Sequence, residues 1–303
     1  MIILIAGGSG IIGSYINDKL NEYHTVTSTF NNGLKSKKHY VKINLLDRLA
    51  TSNFIKTSEK FDVIIFFVAL AHKKGKRGDL NEFRKLNFET LYNLVYALKK
   101  YDKVPEKFIY ASTISVYGEN FHKALYKEID STSPKSPYAI TKLEAENYLK
   151  ETFPNSLWIL RFSPVYSKKY LDNILRRTKI KNVYFKVGSG FQKLSLCNID
   201  NIVSTIESIL KNDIPSGIFN ISDENSYTYN DLLKIQKAKN ILRIPHVLVF
   251  AIYLIGKAIR NTFVVENSIK LLTDNIFSSN KISKFIYLKF DINNLEEQCF
   301  IKK

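Results

Sequence analysis

Short apolar runs rich in Val, Ile and Phe recur through the first half of the chain. Each is followed by a stretch in which apolar residues return every three to four positions. The runs at 2–6, 25–29, 40–43, 63–68, 107–111 and 157–161 predict strands, and the patterns at 11–21, 47–57, 79–100 and 138–153 predict helices. Strands so continuously apolar are buried on both faces, as in a parallel sheet covered by helices. Two successive βαβ halves predict an α/β, doubly wound parallel sheet with ligands at the carboxyl ends of its strands.

Beyond residue 161 the pattern changes. A basic helix over 168–179, strands at 183–187 and 193–197, a helix at 199–211 and a buried strand at 218–221 are expected, and the remainder is mostly helical. The predicted division is a dinucleotide-binding domain over 1–164 and 197–221, and a smaller, mostly helical substrate domain over 165–196 and 222–303. No linker separates the two, which suggests direct packing with a ligand cleft between them. The apolar segment 247–259, followed by Arg260, predicts a buried helix of the second domain. A membrane-surface helix with peripheral association is the alternative.

Composition trims the function classes. At 303 residues, with 45% hydrophobic and 24% charged residues, the chain is an ordinary globular one. No apolar run is long enough to cross a bilayer, and the N-terminus does not read as a signal peptide. Cys197 and Cys299 form no CxxC or Cys/His cluster, so neither a disulfide framework nor a metal site is expected, and a cytoplasmic location follows. Lys and Arg total 45 against 28 acids, a net charge of +17. The lysines are scattered, without a basic stripe interleaved with aromatics, so nucleic acid is not the expected partner. The surplus suits steering of a small polyanionic ligand.

The first strand runs straight into Gly7-Gly8-Ser9-Gly10-Ile11-Ile12-Gly13 and then a helix. Glycines at 7, 10 and 13 suit a tight turn, close backbone approach to a pyrophosphate, and close helix–strand packing, so a Rossmann-type dinucleotide site is predicted. Readers of NAD usually end the second strand on an acid. Here it ends Thr29-Phe30-Asn31-Asn32, with Lys35, Lys37 and Lys38 following, which leans towards NADP over NAD.

A second constellation follows the strand around 107–111. That strand ends in Ser112, Thr113 and Ser115, and Tyr138 and Lys142 open the next helix. A Tyr/Lys pair at i and i+4 shares one helix face. The ammonium is expected to lower the Tyr138 pKa and poise the phenol as a general acid/base, while Thr113 converges on the same carbonyl oxygen.

With these motifs in place, the sequence resembles the extended short-chain dehydrogenase/reductase family, in particular its nucleotide-sugar epimerases, dehydratases and 4-ketoreductases. The resemblance is carried by GGSGIIG, FFVALAHKK, KLNFETLYNL, ASTISVYGE, YAITKLEAE, ILRFSPVYS, SLCNIDNIV and GIFNISDENSYT, and it spans roughly residues 1–240. It implies a catalytic Thr113, Tyr138 and Lys142. It implies cofactor contacts from Gly7, Ser9, Gly10, Ile11, Gly13, the strand end at Phe30 and Asn31, Asn44, Leu45, Ala69 and Asn87. Substrate contacts would come from His72, Ser115, Tyr166, Asn173 and Lys193. Dehydratases of the family carry an Asp-Glu pair after the catalytic hydroxyl, where Ile114 and Ser115 stand here. GDP-fucose-synthase-like 3,5-epimerases place a cysteine at the position of Ser115. The resemblance therefore implies chemistry at C4 of a UDP-hexose or UDP-N-acetylhexosamine, by a 4-ketoreductase or 4-epimerase. A homodimer through the helices at 79–100 and 138–153 is implied as well. A reductase of non-sugar ketones and a non-catalytic dinucleotide-binding subunit are the alternatives. Leu194 and Ser167 depart from the family pattern around the diphosphate, so Arg176, Arg177 or Lys193 would have to replace the usual cation.

Overall fold

The computed structural model describes residues 1–31, 39–70 and 79–295. Two compact units are distinguished: 1–116 with 137–160 and 216–218, and 117–136 with 161–215 and the chain from 219 onward. The central sheet has seven strands: β1 (Ile2–Ala6), β2 (Thr25–Phe30), β3 (Tyr40–Lys42), β4 (Val63–Phe66), β5 (Lys107–Thr113), β6 (Leu157–Phe162) and β7 (Gly217–Ile221). Their order is β7-β6-β5-β4-β1-β2-β3. The pairings β1–β2, β1–β4, β2–β3 and β4–β5 are parallel, in register Ile2 with Thr25 and Ile3 with Val63 about the central strand. Strand order reverses between β1 and β4, the point at which a doubly wound sheet opens a crevice.

In the first unit α1 (Ile11–Leu20) follows β1, and α2 (Arg48–Thr57) follows β3. Asp47 caps α2, its carboxylate accepting the Ala50 N–H at 2.9 Å. The long helix expected at 79–100 is interrupted: α3 (Leu80–Arg84) passes through a π-helical turn, Lys85–Glu89, into α4 (Thr90–Lys100). Then α5 (Pro137–Thr152) precedes β6. Leu4, Ile64, Phe66 and Phe108 of the sheet pack with Leu94 and Leu98 of α4 and Ala145 and Leu149 of α5 in one core. Burial on both sheet faces is what the unbroken apolar runs require.

The second unit holds α6 (Asp172–Thr178), α7 (Ile199–Leu210), α8 (Tyr229–Ile235), α9 (His246–Ala258) and α10 (Thr262–Leu272). Residues 117–136, 161–164, 197–215 and 219–221, expected with the first domain, group with the second unit. Hydrogen bonds account for α7. Asn201 donates to the Phe290 carbonyl at 2.7 Å and to Asp223 Oδ1 at 3.0 Å. The expected strand at 193–197 is split into Lys193–Leu194 and Cys197–Asn198, which pair with different partners. The expected burial of 247–259 is also overturned: within α9 only Val249 and Gly256 are buried.

Asp223 is the polar centre of this unit. Its carboxylate accepts from the Tyr166 hydroxyl at 2.6 Å, the Tyr227 hydroxyl at 2.8 Å, the Asn198 N–H at 2.7 Å and Asn201. Burial still outweighs these donors and pushes its pKa up to about 6. A folded-state pKa above the unfolded carboxylate value means the native state holds the proton more tightly. The Asp223 contribution is therefore complete below pH 4 and lost as pH rises through about 6. Asp223→Asn keeps an acceptor for the two N–H donors. Urea unfolding of both proteins from pH 4 to 7 is expected to show wild type losing stability relative to this variant as pH rises.

Candidate active site

The loop after β1 is shaped by its glycines. Gly7 stands at φ +89°, a conformation that favours glycine, and a Cβ there would lie 2.8 Å from the Val68 nitrogen at the end of β4. Gly13 presses on the same turn, since a Cβ would come within 2.3 Å of the Gly7 carbonyl oxygen. Gly13 therefore lets the first turn of α1 close on the Gly7–Gly8 turn. Gly10 differs: the nearest atom to a Cβ would be the Gly7 oxygen at 3.5 Å, so the protein itself leaves room there. Gly10 is the N-cap of α1 with no side-chain cap, and Ser9, Gly10 and Ile11 are exposed. Uncapped N–H groups at a helix N-terminus, with space beside a glycine, suit the diphosphate of a dinucleotide.

Two residues not singled out in the sequence complete the loop. A side chain at Gly8 would meet Ser28 Cβ at 2.5 Å, and the Tyr40 hydroxyl donates to the Gly8 carbonyl at 3.2 Å. The Gly7 N–H donates to Thr29 Oγ1 at 3.2 Å, tying the loop to β2. Phe30 closes that strand, buried with its ring edge-on to Tyr40, and Asn31 is exposed beyond it. After β3, Asn44 is exposed while its Oδ1 accepts the Leu46 N–H at 3.1 Å, and Leu45 is buried. Ala69 is exposed beyond β4. Asn32, Lys35, Lys37, Lys38 and His72 lie outside the described residues.

Asn87 sits buried in the π-helical turn and joins two pieces of the site. Its Oδ1 accepts the Leu70 N–H at 2.6 Å, and its Nδ2 donates to Thr141 Oγ1 on α5 at 3.0 Å. A π turn re-aims one side chain out of the α-helical register, and here that side chain is the clamp.

The end of β5 meets the start of α5 at Thr113, Tyr138 and Lys142. The Thr113 hydroxyl hydrogen-bonds the Tyr138 phenol and draws its pKa down, but burial dominates and pushes it up to about 12. Lys142 is 1% exposed. Its ammonium lies 4.1 Å from the Tyr110 ring centroid, and burial lowers its pKa to about 7 against the attraction of Glu146. The expectation that Lys142 lowers the Tyr138 pKa is therefore corrected: the ammonium is held by the Tyr110 ring and Glu146, and desolvation governs the phenol. Glu146 is buried and accepts a 2.5 Å hydrogen bond from Ser112 Oγ. Tyr138, Lys142 and Glu146 stand at i, i+4 and i+8, so one stripe of α5 faces the three β5 residues Tyr110, Ser112 and Thr113. That spacing is visible in the sequence, but nothing there distinguishes Glu146 from another helix carboxylate. The Ser115 N–H donates to Thr113 Oγ1 at 3.2 Å, fixing the hydroxyl from the loop side.

In the second unit the expected substrate residues are less available. Tyr166 is buried with its hydroxyl committed to Asp223. Asn173 donates to the Val165 carbonyl at 2.7 Å and accepts from Arg176, and Arg177 bonds the Asn173 carbonyl. Lys193 is exposed, its backbone N–H held by Asp274 at 2.7 Å. Cys197 is buried, and burial raises its thiol pKa, so it is no nucleophile. Among the described residues no cluster of His, Cys, Asp or Glu could hold a metal ion.

The likeness to known proteins runs along the same elements. A protein described as an uncharacterized UDP-glucose epimerase, YtcB of Bacillus subtilis, is 29% identical over 237 residues, 69% of this chain and 72% of its own length. The human dTDP-D-glucose 4,6-dehydratase is 27% identical over 271 residues, covering 80% of this chain and 73% of its own. Among solved structures, the UDP-Glc/GlcNAc 4-epimerase of Campylobacter jejuni superposes with a TM-score of 0.76 at 20% identity, over 99% of this chain and 97% of that one. The UDP-glucose 4-epimerase of Thermotoga maritima gives 0.75 at 20% identity, over 99% and 96%. The model of the NAD dependent epimerase/dehydratase family matches residues 3–222, from β1 through the end of β7, and the chain belongs to that family of extended short-chain dehydrogenase/reductase type enzymes.

Proposed function

We propose that this chain is a nucleotide-sugar enzyme working at C4 of a UDP-hexose or UDP-N-acetylhexosamine, as a 4-ketoreductase or 4-epimerase. The observation that carries the reading is the convergence of Thr113, Tyr138 and buried Lys142 where β5 meets α5. The loop from Gly7 to Gly13, with Ala69 beyond β4, would hold a nicotinamide dinucleotide, which supplies a hydride acceptor and donor when bound. Tyr138 carries its proton at neutral pH, since burial holds its pKa near 12. It is thus loaded to protonate an alkoxide forming at O4, while the Thr113 hydroxyl, whose one proton goes to the phenol, orients it. Lys142 places a positive charge close by, and an ammonium titrating near 7 is sensitive to each charge around it.

Dehydration finds no support here. Ile114 is an aliphatic side chain and Ser115 a hydroxyl, where loss of water across C5 and C6 needs an acid and a base. The neutral Asn31 at the end of β2 favours NADP, because no carboxylate there repels a 2′-phosphate. Net reduction then follows more naturally than recycling of a bound cofactor. A homodimer through the helical run 79–100 and α5 belongs to the same reading, supported by the partly exposed aromatic group of Phe88 in the π-helical turn, Tyr92 on α4 and Tyr148 on α5.

Tyr138→Phe removes the proton and little else. Turnover of UDP-N-acetylhexosamine or its 4-keto form is expected to fall by about a hundredfold or more with nucleotide binding retained. Turnover that survives contradicts the mechanism. Glu146→Gln removes the attraction that raises the Lys142 pKa, so the ammonium loses its proton at lower pH. The alkaline limb of kcat/KM for the cofactor is expected to move down in pH in Glu146→Gln and to return in Glu146→Asp. A uniform loss at every pH would show that Glu146 only supports the fold.

A further inference from the structure

The helix α9 is built unlike any other in the second unit. Its side chains Val247, Leu248, Phe250, Ile252, Leu254 and Ile255 are all exposed, from 43% to 80%, and Ile259 just beyond it is 57% exposed. At 100° per residue these positions cover an arc of about 200°, far wider than the stripe a surface helix leaves over. Only Val249 and Gly256 turn inward. At Gly256 the next helix comes close, where a Cβ would lie 2.7 Å from Val264 Cγ1, and that approach presents Phe263, 72% exposed, at the same end. Leu242, before the helix, is 55% exposed. A soluble surface rarely leaves so many large apolar side chains contiguous and uncovered.

Charge decides what covers them. Between Asp231 and Glu266 the chain has no acidic residue, yet it carries Lys234, Lys237, Lys239, Arg243, Lys257 and Arg260. Arg243, Lys257 and Arg260 are exposed around the apolar arc, and Lys257 falls at its edge, where a lysine stem lies along apolar surface with its ammonium reaching outward. Glu266, the next acid along, is turned to Ser136 and Lys270. A second copy meeting this face about a two-fold axis would bring like charges together with no carboxylate in this stretch of chain to offset them. An anionic bilayer offers both complements at once: hydrocarbon for the arc and phosphate headgroups for the cations. With 13 residues α9 is too short to cross, and no helix among the described residues is long and apolar enough to do so.

We propose that α9, with Leu242 and Phe263 at its flanks, is a membrane-surface anchor that lies in the headgroup region of an anionic lipid bilayer. Arg243, Lys257 and Arg260 pair with lipid phosphates while the apolar arc enters the acyl boundary. The enzyme is then concentrated at a lipid surface without being embedded in it.

Flotation of the full-length protein with phosphatidylglycerol/phosphatidylcholine vesicles and with pure phosphatidylcholine vesicles tests this. Wild type is expected to float with the anionic vesicles. Val247→Asp/Ile255→Asp, two exposed positions that leave the fold intact, is expected to weaken partition by about tenfold or more, and Lys257→Glu/Arg260→Glu to abolish the preference for anionic lipid. Wild type that stays unbound with anionic vesicles overturns the proposal, as does equal flotation of the aspartate variant. So does a face covered by a second copy: sedimentation velocity would then show a dimer in wild type that the aspartate variant breaks, with no flotation in either.

Discussion

An ammonium almost wholly removed from water has to be held by something, and around Lys142 this requirement organises the end of β5 and the first turns of α5. Desolvation of a charge costs several kcal/mol unless partners replace the lost water. The Tyr110 ring face and the Glu146 carboxylate are those partners, and Ser112 in turn fixes Glu146. The same packing encloses Tyr138, so one constraint leaves a lysine titrating near neutrality beside a phenol that keeps its proton. Asn87 adds the second attachment, joining α5 at Thr141 to the loop after β4.

Much of this was legible beforehand because it depends on local pattern. Unbroken apolar runs marked the strands, since a parallel sheet covered on both faces admits little else. The glycines at 7, 10 and 13 marked the turn, and the structure separates their roles: two are demanded by the protein's own packing, and Gly10 has room to spare. What could not be read is tertiary. Glu146 looks like any helix carboxylate until α5 is laid on β5, and Gly8 looks incidental until β2 arrives beside it. Tyr166 had the position of a ligand contact, but Asp223 claims its hydroxyl. The effect of Lys142 on Tyr138 was misjudged because helix spacing says nothing about desolvation.

The segment from 247 to 259 teaches the converse. Its polar residues are too few to define a face, which argues for burial, yet the structure leaves α9 exposed. A very apolar helix needs cover, but the sequence does not say whether that cover is the rest of the chain or something outside it. The absence of acids between Asp231 and Glu266 was visible throughout; it became informative only once the helix stood exposed.

The central claim proposed for this chain is that a hydride passes between a nicotinamide and C4 of a nucleotide sugar, with Tyr138 handling the proton at O4. It is tested most directly with UDP-N-acetylglucosamine deuterated at C4, incubated with the protein and nicotinamide dinucleotide and followed by NMR and mass spectrometry. The account predicts that the deuterium appears either on the nicotinamide C4, for the net reduction run in reverse with the oxidised dinucleotide, or at C4 of the epimerised sugar. Turnover that leaves the C4 label untouched, or loses it to solvent, would contradict it.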